Sequence, residues 1–404
     1  MMFSNDDIVP VVMFHSVGLE KSDWVFSHIS EPLKTFEEKI VGLVSSGYQF
    51  IFWKDLYDHM SGLRRVPRKS IMLTFDDGYL DNWVFVFPIL NKYAAKATIF
   101  VSPEFVDPQD NLRPNMEDVW SGKVREDEIQ TLGFLNWEEM RVMEQSGLVD
   151  IQSHALSHTW HFTGPRLLDF YKPGDKDYPW LAWNMKPELK PFSVQNDQNR
   201  IVPWGTPIYE YEKALISRRY LPPQEVAEAI TALVNQKGGG VFFQQKGWEK
   251  ELRDYHDELM KKYEHKGRFE STDGFRKRVF EELRGSKELI EKHLNKNVDF
   301  MSWPGGAYND ELLSLAKHAG YKAWTLSSKD RISFRNRPGS DPTHIKRISS
   351  FAKYRNSNGK TYGYAGTYYF KCGVERHQGS FFYKWLGRFL LFFAFIKSMA
   401  TGQK

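Results

Sequence analysis

Short apolar runs alternate along this chain with stretches whose apolar residues recur at helical spacing. Residues 9–14, 70–75, 97–101, 149–152, 298–303 and 322–326 predict strands, being brief and rich in β-branched and aromatic side chains. The spacing over 36–46, 82–93, 137–145 and 310–318 predicts helices. Gly47, Gly147 and Gly320 follow three of them, where a left-handed cap residue belongs. Strand alternating with helix predicts a mostly parallel sheet or a βα barrel, an α/β class.

The alternation breaks between about 160 and 270, a stretch rich in Pro, Trp and Tyr. Two helical stripes follow within it: Val226, Ile230, Leu233 and Val234, then Trp248, Leu252, Tyr255, Leu259 and Tyr263. The pattern resumes over 275–294. The expected organisation is a barrel built from 1–160 and 271–350, an insertion at 161–270 covering the substrate cleft, and a C-terminal extension over 351–404.

Composition narrows the functions. Cys372 is the sole cysteine of 404 residues, which excludes a disulfide framework and a Cys-based zinc cluster. Lys and Arg number 55 against 51 Asp and Glu, too balanced for a nucleic-acid reader. The first residues lack the basic start and long apolar run of a secretory signal, so the expected location is the cytoplasm. Near the other end, 381–399 is dense in rings, but its longest apolar stretch, 389–396, is well short of the ~20 residues that span a bilayer. Lys384, Arg388 and Lys397 could sit at headgroup level, giving peripheral membrane contact. The alternative is a helix that caps the core. Another ring cluster, at 178–220, reads as a sugar-stacking wall or as plain packing.

Candidate chemistry gathers at strand ends, where βα barrels build their sites. One strand ends in His15, the next in Asp76-Asp77-Gly78-Tyr79, another runs into His154 and His158, and a fourth into Pro304-Gly305-Gly306. Adjacent carboxylates on a strand point to opposite faces, but Gly78 permits a turn that brings both to one cleft. Acids at a helix start are the ordinary alternative. Two histidines four apart can converge on one ion, and imidazole with carboxylate suits Zn2+, with Co2+, Ni2+ or Mn2+ as alternatives. Two His and one Asp leave a position for water, the catalytic pattern of a metal site. The second Asp is then a base, and His15 a candidate acid. His161 is expected in a supporting or solvent position. Pro304-Gly305-Gly306 is either an oxyanion contact or a tight turn.

These residues resemble the NodB-type polysaccharide deacetylases, metal-dependent carbohydrate esterases on a distorted (β/α) TIM-like barrel. Residues 74–79 read TFDDGY, 134–158 resemble the approach to the family's HSxxH or HTxxH motif, and WPGGAYND at 303–310 is similar to its YPYGAYN form. The opening VVMFHSVG resembles the branch that includes poly-N-acetylglucosamine deacetylases. The resemblance implies Asp76 as base, Asp77, His154 and His158 as metal ligands, the Gly305 N–H as oxyanion donor and His15 as acid. It also implies that Arg347, in IKRI at 345–348, orients Asp76. Trp303 and Tyr79 are further candidates for substrate or orienting contacts. Ala155 departs from the usual Ser or Thr after the first metal His, and Gly305 stands where an aromatic is common. The implied activity is removal of N-acetyl groups from a glycan, a cell-surface polysaccharide or a lipid-linked precursor. A sugar-binding barrel without turnover and an amidohydrolase of small non-sugar amides are the alternatives.

Overall fold

The structure is a computed structural model that describes residues 7–20, 22, 24, 26–195, 200–262, 267–326, 334–355, 361–364 and 366–400. Tyr263 of the second stripe, the Lys397 side chain and residues 401–404 of the extension lie outside the described residues. The chain divides into two compact units. One comprises 1–155, 286–306 and 320–404, the other 156–285 and 307–319.

Among the described residues the main sheet of the first unit has nine strands, Gln49–Phe50 pairing parallel beside Ser70–Phe75 and the other eight forming one run: β1 Val11–Phe14, β2 Ser70–Phe75, β3 Ala97–Val101, β4 Val149–Ser153, β5 Phe300–Met301, β6 Ala323–Thr325, β7 His344–Ile345 and β8 Ile348–Ser349. They lie side by side in the order β7-β6-β5-β4-β3-β2-β1-β8, every pair parallel. The two edge strands are consecutive in the chain, with Lys346 and Arg347 between them. The sheet must therefore curl until its edges meet. Val11, Met72, Phe100, Phe300, Ala323 and Ile345, from six strands, accordingly share one core cluster. Trp53 enters that cluster, stacked on Phe300 at 5.6 Å and edge-on to Phe100 at 5.3 Å. β2 is buried throughout, as a parallel strand covered on both faces should be.

Asn336 closes the seam. Its Nδ2 donates to the carbonyls of Val9 and Lys346, and its Oδ1 accepts from the Lys346 N–H. The expected strand 298–303 shortens to Phe300–Met301, because the Gln152 side chain, not a backbone carbonyl, takes the Phe300 N–H. The expected helix 82–93 opens as a π-helical turn, Asn82–Val86, before Phe87–Lys92. Pro88 has no N–H for the Val84 carbonyl, so the regular ladder cannot start earlier.

In the second unit, Trp160–Phe170 pairs antiparallel with Pro207–Lys213. The helices Gln224–Gln236 and Trp248–Lys262 pack Val226, Ile230, Val234, Leu252 and Leu259 against Phe170 and Phe242. Of the eight rings at 178–220, Trp180, Trp183, Tyr209 and Tyr220 are buried in the core, and Tyr178, Phe192, Trp204 and Tyr211 are half-buried. His161 is also buried, so it is no solvent histidine; its Nε2 accepts from Arg219 Nη2 at 2.9 Å. Burial first, then the Arg219 charge, push its imidazole down to about 3, so it stays neutral.

Candidate active site

β2 delivers the two carboxylates. The Asp76 N–H still donates to the Phe14 carbonyl at 3.1 Å, so Asp76 ends the strand with its side chain buried. Asp77 and Gly78 then adopt left-handed conformations, with φ of 76° and 68°. A Cβ on Gly78 would stand 2.8 Å from Val101 Cγ1, so this turn requires glycine on two counts. The break in the pleat frees Asp77 from the alternation that would send it to the far face.

Asp76 is clamped by Arg347 from the barrel seam. Nη1 donates to Oδ1 at 2.7 Å and Nη2 to Oδ2 at 2.8 Å. The same guanidinium donates to Thr74 Oγ1 and Ser302 Oγ, and Ser302 Oγ donates to Asp76 Oδ2 at 3.3 Å. Burial pushes the carboxyl up, but Arg347, with His154 and His15, holds it below the usual carboxylate range. Asp76 is thus a fixed, ionised carboxylate.

His154 follows β4, its N–H donating to the Val101 carbonyl at 2.8 Å. Its Nδ1 lies 2.8 Å from the Ser302 carbonyl oxygen, which can only accept. Nδ1 therefore carries a hydrogen, and Nε2 faces Asp77 Oδ1, 3.2 Å away. Burial disfavours the imidazolium, yet Asp76 and Asp77 hold His154 above its ordinary value. Asp77, His154 and His158 each offer one ligand atom, all within 4.8 Å of one another. The histidines converge through an irregular loop, not a helix face, with Ala155 at φ 60° and His158 at φ 39°. A carboxylate oxygen and imidazole nitrogens, one oriented by a carbonyl, fit a divalent metal of the zinc type.

Supporting groups surround this set. Tyr79 lies against Asp77: burial, then the Asp77 charge and hydrogen bond, raise its phenol far above the usual value, so it remains a donor. His15 stands close enough for its charge to act on Asp76. Its carbonyl accepts from Asn82 Nδ2 at 3.0 Å, and the next residues are held by Asp81, which accepts from Ser16 Oγ at 2.7 Å and the Val17 N–H at 3.0 Å. Gly305 sits exposed in the turn Pro304–Gly306 at φ 58°. Trp303 is fully buried near Trp324, so its ring is core and cannot stack on a sugar.

Three contributors carry no motif signature. Ser302 touches Asp76, Arg347 and, through its carbonyl, His154. Ser153 Oγ accepts from Tyr321 OH at 2.7 Å and from the Ala155 N–H at 3.2 Å, leaving its own hydrogen for Ser286 Oγ at 2.8 Å. Asp81 is fully buried. The available signal was a small hydroxyl residue at the end of an apolar run beside a motif residue, which Ser153 and Ser302 both are.

A curled parallel sheet with acids and imidazoles at the ends of its strands defines a βα barrel carrying a hydrolytic type of metal donor set. The polysaccharide deacetylase family model matches residues 64–186 and 223–324, more than half of the chain, and the chain belongs to that family. The chain is 28% identical over 151 residues to the poly-beta-1,6-N-acetyl-D-glucosamine N-deacetylase of Escherichia coli (strain K12), covering 37% of this chain and 20% of that protein. It is likewise 28% identical over 150 residues to YxkH of Bacillus subtilis (strain 168), covering 37% and 43%. The matched region therefore spans less than half the length of either relative. Among solved structures, a de-N-acetylase from Aggregatibacter actinomycetemcomitans superposes with a TM-score of 0.51 at 19% identity, over 85% of this chain and 94% of that one. The BpsB deacetylase domain from Bordetella bronchiseptica gives 0.51 at 20%, over 86% and 98%. Both share the barrel fold.

Proposed function

We propose that this protein hydrolyses N-acetyl groups of a glycan, with Asp77, His154 and His158 holding a divalent metal, Zn2+ by their chemistry. The observation that carries the reading is the pairing of that donor set with Asp76, a separate ionised carboxylate fixed beside it by Arg347. The relatives' names supply the substrate class: an N-acetylated polysaccharide. When bound, the metal supplies Lewis acidity, polarising the acetyl carbonyl and making water more acidic. Asp76 takes the proton of the attacking water as oxygen adds to the carbonyl carbon. The Gly305 N–H stabilises the resulting oxyanion. His15 protonates the sugar nitrogen as the C–N bond breaks, giving acetate and a free amine. Tyr79 and the Ser302 carbonyl keep Asp77 and His154 oriented. We extend the proposal to a lipid-linked form of the glycan and to peripheral membrane contact through 381–399.

Acetate release from N-acetylated glycans tests the chemistry. Asp76→Asn and His154→Ala should abolish it, and His15→Ala should slow it while leaving metal binding intact. Full activity in either of the first two overturns the mechanism. A purified protein that binds zinc and the glycan yet releases no acetate would favour a sugar-binding barrel.

A further inference from the structure

The helix Phe381–Ala400 ends the described chain and has two unlike sides. Gly387 is buried, and a Cβ there would stand 3.3 Å from Cys372 Cβ, so this side seats on the helix Thr367–His377. Phe381, Phe382, Trp385, Phe389 and Phe392 are between 54% and 69% exposed. At 3.6 residues per turn these five fall within an arc of about 100°, opposite Gly387. Lys384 and Arg388, both exposed, border the arc on one flank. The Arg388 guanidinium stands 5.1 Å from the Trp385 ring centre, a cation–π pair. The sequence 381–400 contains no acidic residue.

We propose that this face docks on an anionic lipid surface, the helix lying in the plane of the membrane with its rings buried among the headgroups. The proposal deepens the membrane contact put forward above and rests on that part of the reading, not on the chemistry of the site. No helix among the described residues is long and apolar enough to cross a membrane, so the geometry is that of a helix lying on the surface. Charge decides the occupant. A second copy docked through the same face would bring the Lys384 and Arg388 pairs of both chains together with no carboxylate in either helix to offset them. Anionic headgroups offset them directly, and tryptophan with arginine suits the boundary between headgroup and acyl chain.

The test is sedimentation of the full chain with vesicles of phosphatidylcholine, with and without phosphatidylglycerol. Binding should favour the anionic vesicles and weaken as salt rises. The double variant Phe381→Ser with Trp385→Ser should lose at least about tenfold in partitioning. Lys384→Gln with Arg388→Gln should erase the preference for phosphatidylglycerol while retaining residual binding. Wild-type protein that ignores both vesicles overturns the proposal, as does binding untouched by these substitutions. So does a dimer in gel filtration that the ring variant dissociates. Acetate release from a soluble glycan, measured on the same variants, should equal wild type. Loss of that activity in every form would sink the proposed chemistry and leave the vesicle result standing.

Discussion

Replacing Arg347 with Met tests the clamp on Asp76. The substitution removes both donors, at 2.7 and 2.8 Å, from a carboxylate whose side chain is 5% exposed. At a charge separation of about 4 Å and an effective dielectric of about 20, the pair attracts by roughly 4 kcal/mol. Stranding one member of such a buried pair costs about 3–5 kcal/mol. Asp76 keeps the Ser302 hydroxyl at 3.3 Å and the fields of His154 and His15, against a burial effect that acts upward and is the largest single influence on it. Its carboxyl should therefore move from below to above the ordinary value. In the wild type the depressed group contributes stability that is present above the unfolded value, about 3.9, and lost as pH falls through the folded one. In the variant the raised group contributes stability present below the unfolded value and lost as pH rises through its folded value. The gap between the two proteins should be widest at neutral pH and narrow as pH falls through the depressed wild-type value. Urea unfolding followed by circular dichroism, with metal chelated to remove binding linkage, measures it. Arg347→Lys keeps a charge without the fork and should recover part of the stability. Wild-type stability in Arg347→Met at neutral pH, or a gap independent of pH, would refute the reasoning.

Other consequences are more local. Ser153→Ala leaves the Tyr321 hydroxyl and Ala155 N–H buried without their common acceptor, so it should cost about 1–3 kcal/mol and weaken zinc binding about 10–100-fold in a chelator competition; unchanged affinity would mean that the loop is held elsewhere. Gly78→Ala combines a left-handed residue with a 2.8 Å contact and should lower stability by about 1–3 kcal/mol and abolish zinc binding; a variant that keeps both would show that the turn accommodates a Cβ. Asp81 is pushed up to about 7 by burial, opposed by its hydrogen bonds from Ser16, Val17 and Asn82. Its contribution is fully present below the unfolded value of about 3.9 and lost once pH has risen through about 7, so Asp81→Asn should flatten the fall in stability over that window; an unchanged slope in urea unfolding would assign it to other groups.

The sequence made the chemistry legible where it is local. The TFDDGY and HxxxH segments name their own residues, and strand ends place them, so Asp76, Asp77, His154, His158 and His15 stand out as candidates from the sequence alone. The partners that fix their geometry are distant in sequence: Ser302 lies 226 residues from Asp76 and 148 from His154. No periodicity or spacing encodes such pairs. Ring density reports composition and not exposure. Trp303, Trp180, Trp183, Tyr209 and Tyr220 are buried, whereas Phe381, Phe382, Trp385, Phe389 and Phe392 are exposed.

Ala155 shows what the missing information changes. Read as a sequence, alanine in place of serine or threonine removes a hydroxyl from the metal loop and suggests a loosened site. In the fold Ala155 is 1% exposed and left-handed, and its N–H is held by Ser153 Oγ. That oxygen also accepts from Tyr321, and with Ser286 as the acceptor of its hydrogen its capacity is complete. The loop is therefore anchored from the residue before His154, and a hydroxyl at 155 is not needed for this anchorage. Ala155→Ser should leave zinc affinity within about threefold of wild type, less than the loss expected for Ser153→Ala. If instead Ala155→Ser tightened zinc binding tenfold or more, the anchorage by Ser153 would be insufficient, and the loosened site suggested by the sequence would be the better reading.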